Sequence, residues 1–308
     1  MNAVPNKELF EQVSERLGID KSFVEKDWLV TQAIRLVTGI NVPGFEIVFT
    51  GGTSLSKAHG LLERFSEDVD FRIIAPEELR TRKALSDFRK CVVETLQKGG
   101  FSFTDEQVRS RDGNRFFSID IDYESQFPKA HALRPHIQIE VTARNTQLPL
   151  IYLPVSSFVS SAAKKPPEIE KTGCIDPVES AADKLSALAW RIPDRIRGGD
   201  YDDPSIVRHI HDLALLKDRA LAHDKFAALV ASSMTDDAAR PKNRPELVEM
   251  SAQEKRGLML KILSEDTAYP PEYDLFVKGV SYAAADKVPS YASAIEAVKI
   301  LVNSVTAK

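Results

Sequence analysis

Apolar residues recur at helical spacing in two stretches near the start of the chain, 6–17 and 22–38. In the second, Phe23, Trp28, Leu29, Ala33, Ile34 and Val37 mark one face, the 3.6-residue period of an amphipathic helix. Asn41, Pro43 and Gly44 break that period, and the short apolar run 46–50 predicts a buried strand. Gly51-Gly52 predicts a tight turn, with Thr53 capping a helix to about residue 62. A second strand is predicted at 69–74. Pro76-Glu77-Glu78 suits the first turn of a long helix that stops at Gly99-Gly100. Strands are then predicted at 101–108, 116–123 and 137–142, the last two from clear alternation. Segment 163–177, with Pro166-Pro167, reads as a linker. Beyond it the period turns helical at 178–191, 205–217, 220–233, 247–264 and 290–305, around a polar, proline-bearing loop at 234–246. An α/β front half is followed by a helical back half.

Composition changes this picture little. A chain of 308 residues favours two domains, and 43% hydrophobic with 28% charged residues is a folded composition, not a disordered one. The net charge of −4 gives no global attraction to nucleic acid or anionic membrane, so any polyanion must meet a local basic patch. Cys91 and Cys174 are far apart in sequence, which suits a reducing cytoplasm better than a disulfide framework. Residues 1–20 lack an apolar core for a secretory signal, and no apolar run approaches the ~20 residues of a membrane helix.

The informative stretch lies between the first two strands. A strand that enters two glycines and then a helix lets backbone N–H groups approach an anion such as a triphosphate. Lys57, about one turn into that helix, could add positive charge, but no Gly-Lys-Ser/Thr follows at P-loop spacing. Asp68 and Asp70 alternate with Val69 and Phe71, so both carboxylates share one face of a strand while the apolar pair enters the core. Two such carboxylates suit Mg²⁺, which takes one or two of them together with substrate phosphates and water. Either element alone is commonplace; joined by one helix they become specific.

At these residues the chain resembles the AbiEii/AbiGii toxin family, nucleotidyltransferases of the DNA polymerase β superfamily. The resemblance rests on Gly51, Gly52, Thr53 and Leu55, then Arg64, Ser66, Asp68 and Asp70, with Glu25-Lys26-Asp27-Trp28 upstream. It extends from about residue 24 to about 216. It implies an α+β fold: a polymerase β-like nucleotidyltransferase domain, a mixed sheet flanked by helices, over 1–163, and a mainly helical domain over 164–308. Gly51, Gly52 and Thr53 would embrace phosphates, with Lys57 and Ser66 also assigned to the nucleotide, and Asp68 and Asp70 would hold metal.

Glu140, on a strand whose His136, Gln138 and Glu140 share one face, resembles the superfamily's third carboxylate. Asp120 and Asp122 alternate outward too and compete for that role. Lys184 borders the apolar stripe Ala181, Ala182, Leu185, Leu188, where a lysine commonly snorkels. Glu179-Ser-Ala-Ala-Asp-Lys184 resembles the family's lysine helix, which implies that Lys184 reaches the triphosphate. In Arg208-His-Ile-His-Asp212, Asp212 matches the second aspartate of the family's next element, while His209 replaces the first; Asp212 would orient Lys184 or polarise the acceptor. His209 and His211, two apart on a helix, do not face each other, and His59, His131 and His223 lack ligand-spaced partners, so zinc is not expected.

Basic residues cluster at Arg80, Arg82, Lys83, Arg89 and Lys90, at Arg109, Arg111 and Arg115, and at Arg191, Arg195 and Arg197. The last group is the favoured phosphate-tracking surface. The expectation is a cytoplasmic, Mg²⁺-dependent nucleotidyltransferase that moves an NMP from an NTP to RNA, such as a tRNA 3′ end. Biologically it resembles the toxin of a type IV toxin–antitoxin or phage-defence system, with a separate antitoxin and no membrane partner. The alternatives are a small-molecule or protein acceptor, or a non-catalytic nucleotide-binding module.

Overall fold

The computed structural model describes residues 2–128 and 133–306, which leaves His131 outside. The chain divides into two compact units, Met1–Ile175 and Asp176–Lys308. The first contains α1 (Lys7–Leu17), α2 (Lys21–Thr38), β1 (Glu46–Thr50), α3 (Gly51–Lys57), β2 (Asp68–Ile74), α4 (Arg82–Lys98), β3 (Val108–Arg111), β4 (Phe116–Asp122), β5 (His136–Ala143), β6 (Ile151–Val155), α5 (Phe158–Ala162) and β7 (Ile169–Cys174). Its strands form one mixed sheet in the order β3-β4-β5-β2-β1-β7-β6. β2 runs antiparallel to β1 and parallel to β5.

Alternation decides which face of the central strands is buried. Val69, Phe71 and Ile73 of β2, Ile137, Ile139 and Val141 of β5, and Phe117, Ile119 and Ile121 of β4 are all buried. They join one core with Trp28, Ala33 and Ile34 of α2 and with Leu85, Phe88 and Val92 of α4. Each large apolar side chain so buried contributes about 1.5–3 kcal/mol relative to exposure. Asp68, Asp70, Gln138 and Glu140 are left half-buried on the other face.

Several local expectations need correction. α3 begins at Gly51, directly from Thr50, and ends at Lys57 instead of near 62. Thr53 does not cap it, because its hydroxyl donates to the Asp68 carbonyl. The residues after Pro76 form a single turn, Glu77–Leu79, and α4 starts separately at Arg82 under a Thr81 cap. The stretch 101–108 makes only an isolated bridge at Ser102, with β3 starting at Val108. The segment read as a linker contains β7, which pairs with β1 and β6. Pro166-Pro167 misled that reading, since the strand starts only beyond them and its buried end is the inconspicuous Thr172-Gly173-Cys174.

The second unit holds α6 (Pro177–Asp194), α7 (Arg208–Ala222), α8 (Phe226–Asp236), α9 (Ala252–Glu265), α10 (Tyr269–Val280) and α11 (Tyr291–Thr306). Asp176 caps α6 by accepting from Val178 N at 2.8 Å, with Pro177 at the first helical position, where its missing N–H costs nothing. Leu185 and Leu188 of α6, Leu213 and Leu216 of α7, Val230 of α8, Met259 of α9 and Leu301 of α11 are almost fully buried. α10 was not predicted; its Pro270 and Pro271 lie in the first turn, where they are tolerated. Among the described residues no helix is long and apolar enough to cross a membrane.

Candidate active site

The glycine turn and the acidic strand are neighbours because β1 lies antiparallel beside β2. Thr50, the last residue of β1, pairs with Asp70, and Asp70 in turn pairs with Glu140 on β5. One row across the sheet therefore reads Thr50, Asp70, Glu140, with Gly51 directly after Thr50. A second row reads Asp68, Gln138, Asp120. Adjacent strands lie about 4.8 Å apart, so Glu140 stands one strand from Asp70 and Asp120 stands two strands from Asp68. Asp120 also bonds Arg109 and accepts from Gln138 Nε2 at 3.2 Å, and Asp122 accepts from Gln107 at 2.8 Å. The register thus sets Glu140, not its competitors, beside the aspartate pair.

Gly51 has φ of 76°, a left-handed conformation that glycine adopts without a Cβ clash. A Cβ there would meet Asp70 Oδ2 at 1.9 Å and Asp70 Cβ at 2.8 Å. A change of Asp70 rotamer could relieve the first clash but not the second. At Gly52 a Cβ would lie 2.8 Å from Arg64 Nη2 and 3.1 Å from Ser66 Oγ. The segment before β2 therefore folds back onto the turn: Asp70 covers one glycine, while Arg64 and Ser66 cover the other.

The remaining nucleotide candidates behave differently. Thr53 is fully buried and spends its hydroxyl on β2. Lys57 does not point at the turn; it forms an ion pair with Asp27 of α2, both side chains nearly buried. Arg134, which the sequence did not single out, bonds Asp68 Oδ1 through Nη1 at 2.8 Å and Gln138 Oε1 at the same distance. It precedes β5 in a segment without periodicity, so only the tertiary structure reveals it.

Hard oxygen donors on a rigid strand fit Mg²⁺, and the space that Gly51 opens is filled by one of those donors. Asp68 and Asp70 would supply the protein's ligands. Among the described residues no group of three or more His, Cys, Asp or Glu side chains is drawn together as a metal cluster; Glu140 is the carboxylate next to Asp70 across the sheet. Burial pushes the Cys174 thiol up to about 11, with a Ser54 bond opposing the shift, which leaves it protonated and unsuited to nucleophilic attack.

In the second unit Lys184 of α6 and Asp212 of α7 form a buried ion pair, Nζ to Oδ2 at 2.9 Å. Lys184 therefore does not snorkel. His211 Nδ1 lies 3.3 Å from Asp212 Oδ1. His209, one helical turn before Asp212, is buried with an unpartnered Nδ1. Burial, reinforced by the positive charges of Lys184, Arg208 and Arg191, holds its imidazole well below the ordinary pKa and hence neutral.

The basic clusters also sort themselves. Arg191 pairs with Asp203, Arg195 with Asp202 and Glu272, and Arg197 with Glu272 and Asp266. Their charge is matched within the unit. The other two clusters converge instead: Arg89 of α4 donates to Ser110 of β3 at 3.1 Å, beside the exposed Arg109 and Arg111 of that edge strand.

A family model described as nucleotidyl transferase AbiEii toxin, type IV TA system, matches residues 43–297. The match covers both the acidic strand and the lysine helix, and it runs beyond the end of the resemblance read from sequence. No curated relative matches the chain in sequence. In fold the chain is similar to MenT4, a nucleotidyltransferase toxin from Mycobacterium tuberculosis H37Rv, at 18% identity over 96% of this chain and 89% of that one, with a TM-score of 0.60. The Cid1 poly(U) polymerase aligns over 69% of this chain and 55% of its own, at 18% identity and a TM-score of 0.28, a score that carries no weight.

Two outcomes follow from this geometry. Gly51→Ala and Gly60→Ala both force alanine into a left-handed backbone, but Gly60 has nothing within 4 Å of a new Cβ. Gly51→Ala should therefore lose about 1–3 kcal/mol more in denaturant unfolding than Gly60→Ala; equal losses would mean that Asp70 does not pack over the turn. For His209, the native state binds fewer protons than the unfolded state, whose imidazole titrates near the ordinary value of 6.5. Its contribution to stability is full above that pH and is lost as pH falls, by up to about 1.4 kcal/mol per pH unit. Unfolding of wild type and His209→Gln between pH 8 and 5.5 should show the steeper acid loss in wild type, and parallel curves would contradict a neutral buried imidazole.

Proposed function

The chain belongs to the AbiEii family of nucleotidyltransferase toxins of type IV toxin–antitoxin systems, and from that premise we propose that it transfers an NMP from an NTP to RNA, with Asp68 and Asp70 holding Mg²⁺. The observation that carries this reading is the Asp70 carboxylate lying over Gly51. A triphosphate seated on the Gly51-Gly52 backbone would meet the metal-binding face of β2 without any rearrangement of the strands.

An acceptor hydroxyl attacks the α-phosphate in line, and pyrophosphate leaves. Bound Mg²⁺ supplies charge neutralisation on the phosphates and alignment of the reacting oxygens. Glu140, next to Asp70 in the sheet, is assigned to help deprotonate the hydroxyl or to complete the metal's surroundings. Ser66, against Gly52, is assigned to the nucleotide. By resemblance to the family, Lys184, which pairs with Asp212, would meet the charge on the departing pyrophosphate.

RNA as acceptor is supported by the neighbouring basic residues of α4 and β3, where Arg89 meets Ser110 and the exposed Arg111 adds charge, although Arg109 and Lys90 there already pair with Asp120 and Asp87. Family membership supplies the NTP as donor and a cognate antitoxin as partner. A small-molecule or protein acceptor is the second reading, favoured by the internally matched charges of Arg191, Arg195 and Arg197.

Incubation with each α-labelled NTP, Mg²⁺ and separate pools of total tRNA, small metabolites and lysate protein identifies the acceptor. Label should enter the RNA pool; label confined to either other pool would replace RNA as the acceptor. Asp68→Ala should lower transfer on the order of 10³-fold and relieve growth inhibition while leaving the unfolding midpoint near wild type. Transfer retained in that variant would falsify the metal assignment.

A further inference from the structure

The second turn of α2 carries three consecutive charged residues, Glu25, Lys26 and Asp27, at 2%, 0% and 3% exposure. Burying a charge costs several kcal/mol unless it is paired and hydrogen-bonded, and each of the three reaches a different segment. Lys26 Nζ bonds Glu67, the residue before Asp68, and also the carbonyls of Arg134 at 2.9 Å and His136 at 3.0 Å. These are three acceptors for three ammonium protons. Glu67 also receives the Arg134 N–H at 2.9 Å. The clamp thus grips the ends of β2 and β5 where their pairing begins, at Asp68 opposite Gln138.

Asp27 works on the other element of the site. Its Oδ1 pairs with Lys57 and its Oδ2 accepts from Phe158 N at 2.7 Å. Lys57 is the last residue of α3, a short rigid helix whose first two residues are Gly51 and Gly52. Glu25 makes equally buried bonds, to Ser125 and to Gln126 N at 2.8 Å, but neither of those residues touches the glycine turn or the acidic strand.

We propose that Lys26 and Asp27 are positioning residues of the nucleotidyl-transfer site, Lys26 setting the metal-binding carboxylates through Glu67 and Asp27 setting the glycine turn through Lys57. The assignment rests on the functional reading above. It also gives Lys57 a task other than contact with the nucleotide: its charge is spent on α2 so that α3 cannot rock. A helix lying against the sheet thereby fixes both halves of the site from one rigid turn.

The two clamps hold different parts, so their loss has different kinetic signatures. Lys26→Met displaces carboxylates needed in the transition state and should lower kcat roughly 10–10²-fold, with the NTP KM within about threefold of wild type. Asp27→Leu combined with Lys57→Met replaces a buried ion pair by apolar groups, a change that folds can tolerate. It should raise the NTP KM about tenfold and weaken calorimetric binding of a non-hydrolysable NTP to match, with a smaller effect on kcat. Glu25→Gln should leave both constants within about threefold. All are assayed on the full chain well below each variant's own melting temperature, and Glu67→Gln stands in for Lys26→Met if that protein does not fold.

An active wild type whose clamp variants keep wild-type constants, or whose variants at all three sites lose only apparent kcat in proportion to folded fraction with KM unchanged, overturns the positioning assignment alone. A wild type without nucleotide transfer overturns the functional reading itself.

Discussion

Antiparallel pairing of β1 with β2 means that the end of one strand must lie beside the start of the next. Thr50 opposite Asp70 is the contact this produces, and the missing Cβ of Gly51 lets the carboxylate come down onto the turn. Neither the glycines nor the aspartates would be informative apart, since each recurs widely for ordinary reasons of turn and surface. Under the proposed function, bringing them within one residue row of each other lets backbone N–H groups meet the phosphates while the carboxylates hold the Mg²⁺ bound to them. The rest of the first unit serves that juxtaposition: the core beneath β2 is apolar and closed, the upper face is left polar, and β5 adds Glu140 in register.

Buried charge is used in both units in the same manner. Lys26 with Glu67, Lys57 with Asp27, and Lys184 with Asp212 are all near-buried pairs. Such pairs are weak evidence for stability, because desolvation offsets most of the attraction. Their value is geometric: a buried cation held by its acceptor has little freedom to move, and Lys26, with three acceptors, has the least. Arg191 and Arg197 show the contrasting case, where partly exposed charges are matched by Asp203, Asp266 and Glu272 within their own unit; Arg195, its side chain 5% exposed and paired with Asp202 and Glu272, belongs with the buried pairs.

Much of this was legible in the sequence where a single period ruled. The alternation in β2 and β5 gave the correct faces for Asp68, Asp70 and Glu140, and the helical back half followed from its apolar stripes. The motif around Gly51 and Asp68 identified the family. What escaped was non-local. β6 and β7 are short and fall around prolines and glycines, and α10 starts on two prolines. Thr53 looked like a cap because a threonine after glycines usually is one; its hydroxyl went instead to a strand 15 residues on. Lys57 looked available to an anion because its partner lies 30 residues earlier. A signal for that partner did exist: three successive charged residues span more than half the circumference of a helix, so in a helix flanked by Phe23, Val24, Trp28 and Leu29 at least one charge had to be buried.

The central claim is that the glycine turn and the acidic strand grip one metal–nucleotide unit together. Calorimetric titration of a non-hydrolysable NTP into the protein, with Mg²⁺ and then with chelator, tests it directly. Tight uptake that requires the divalent ion is the predicted result. Equal affinity with and without it, or no uptake in either case, would contradict the account.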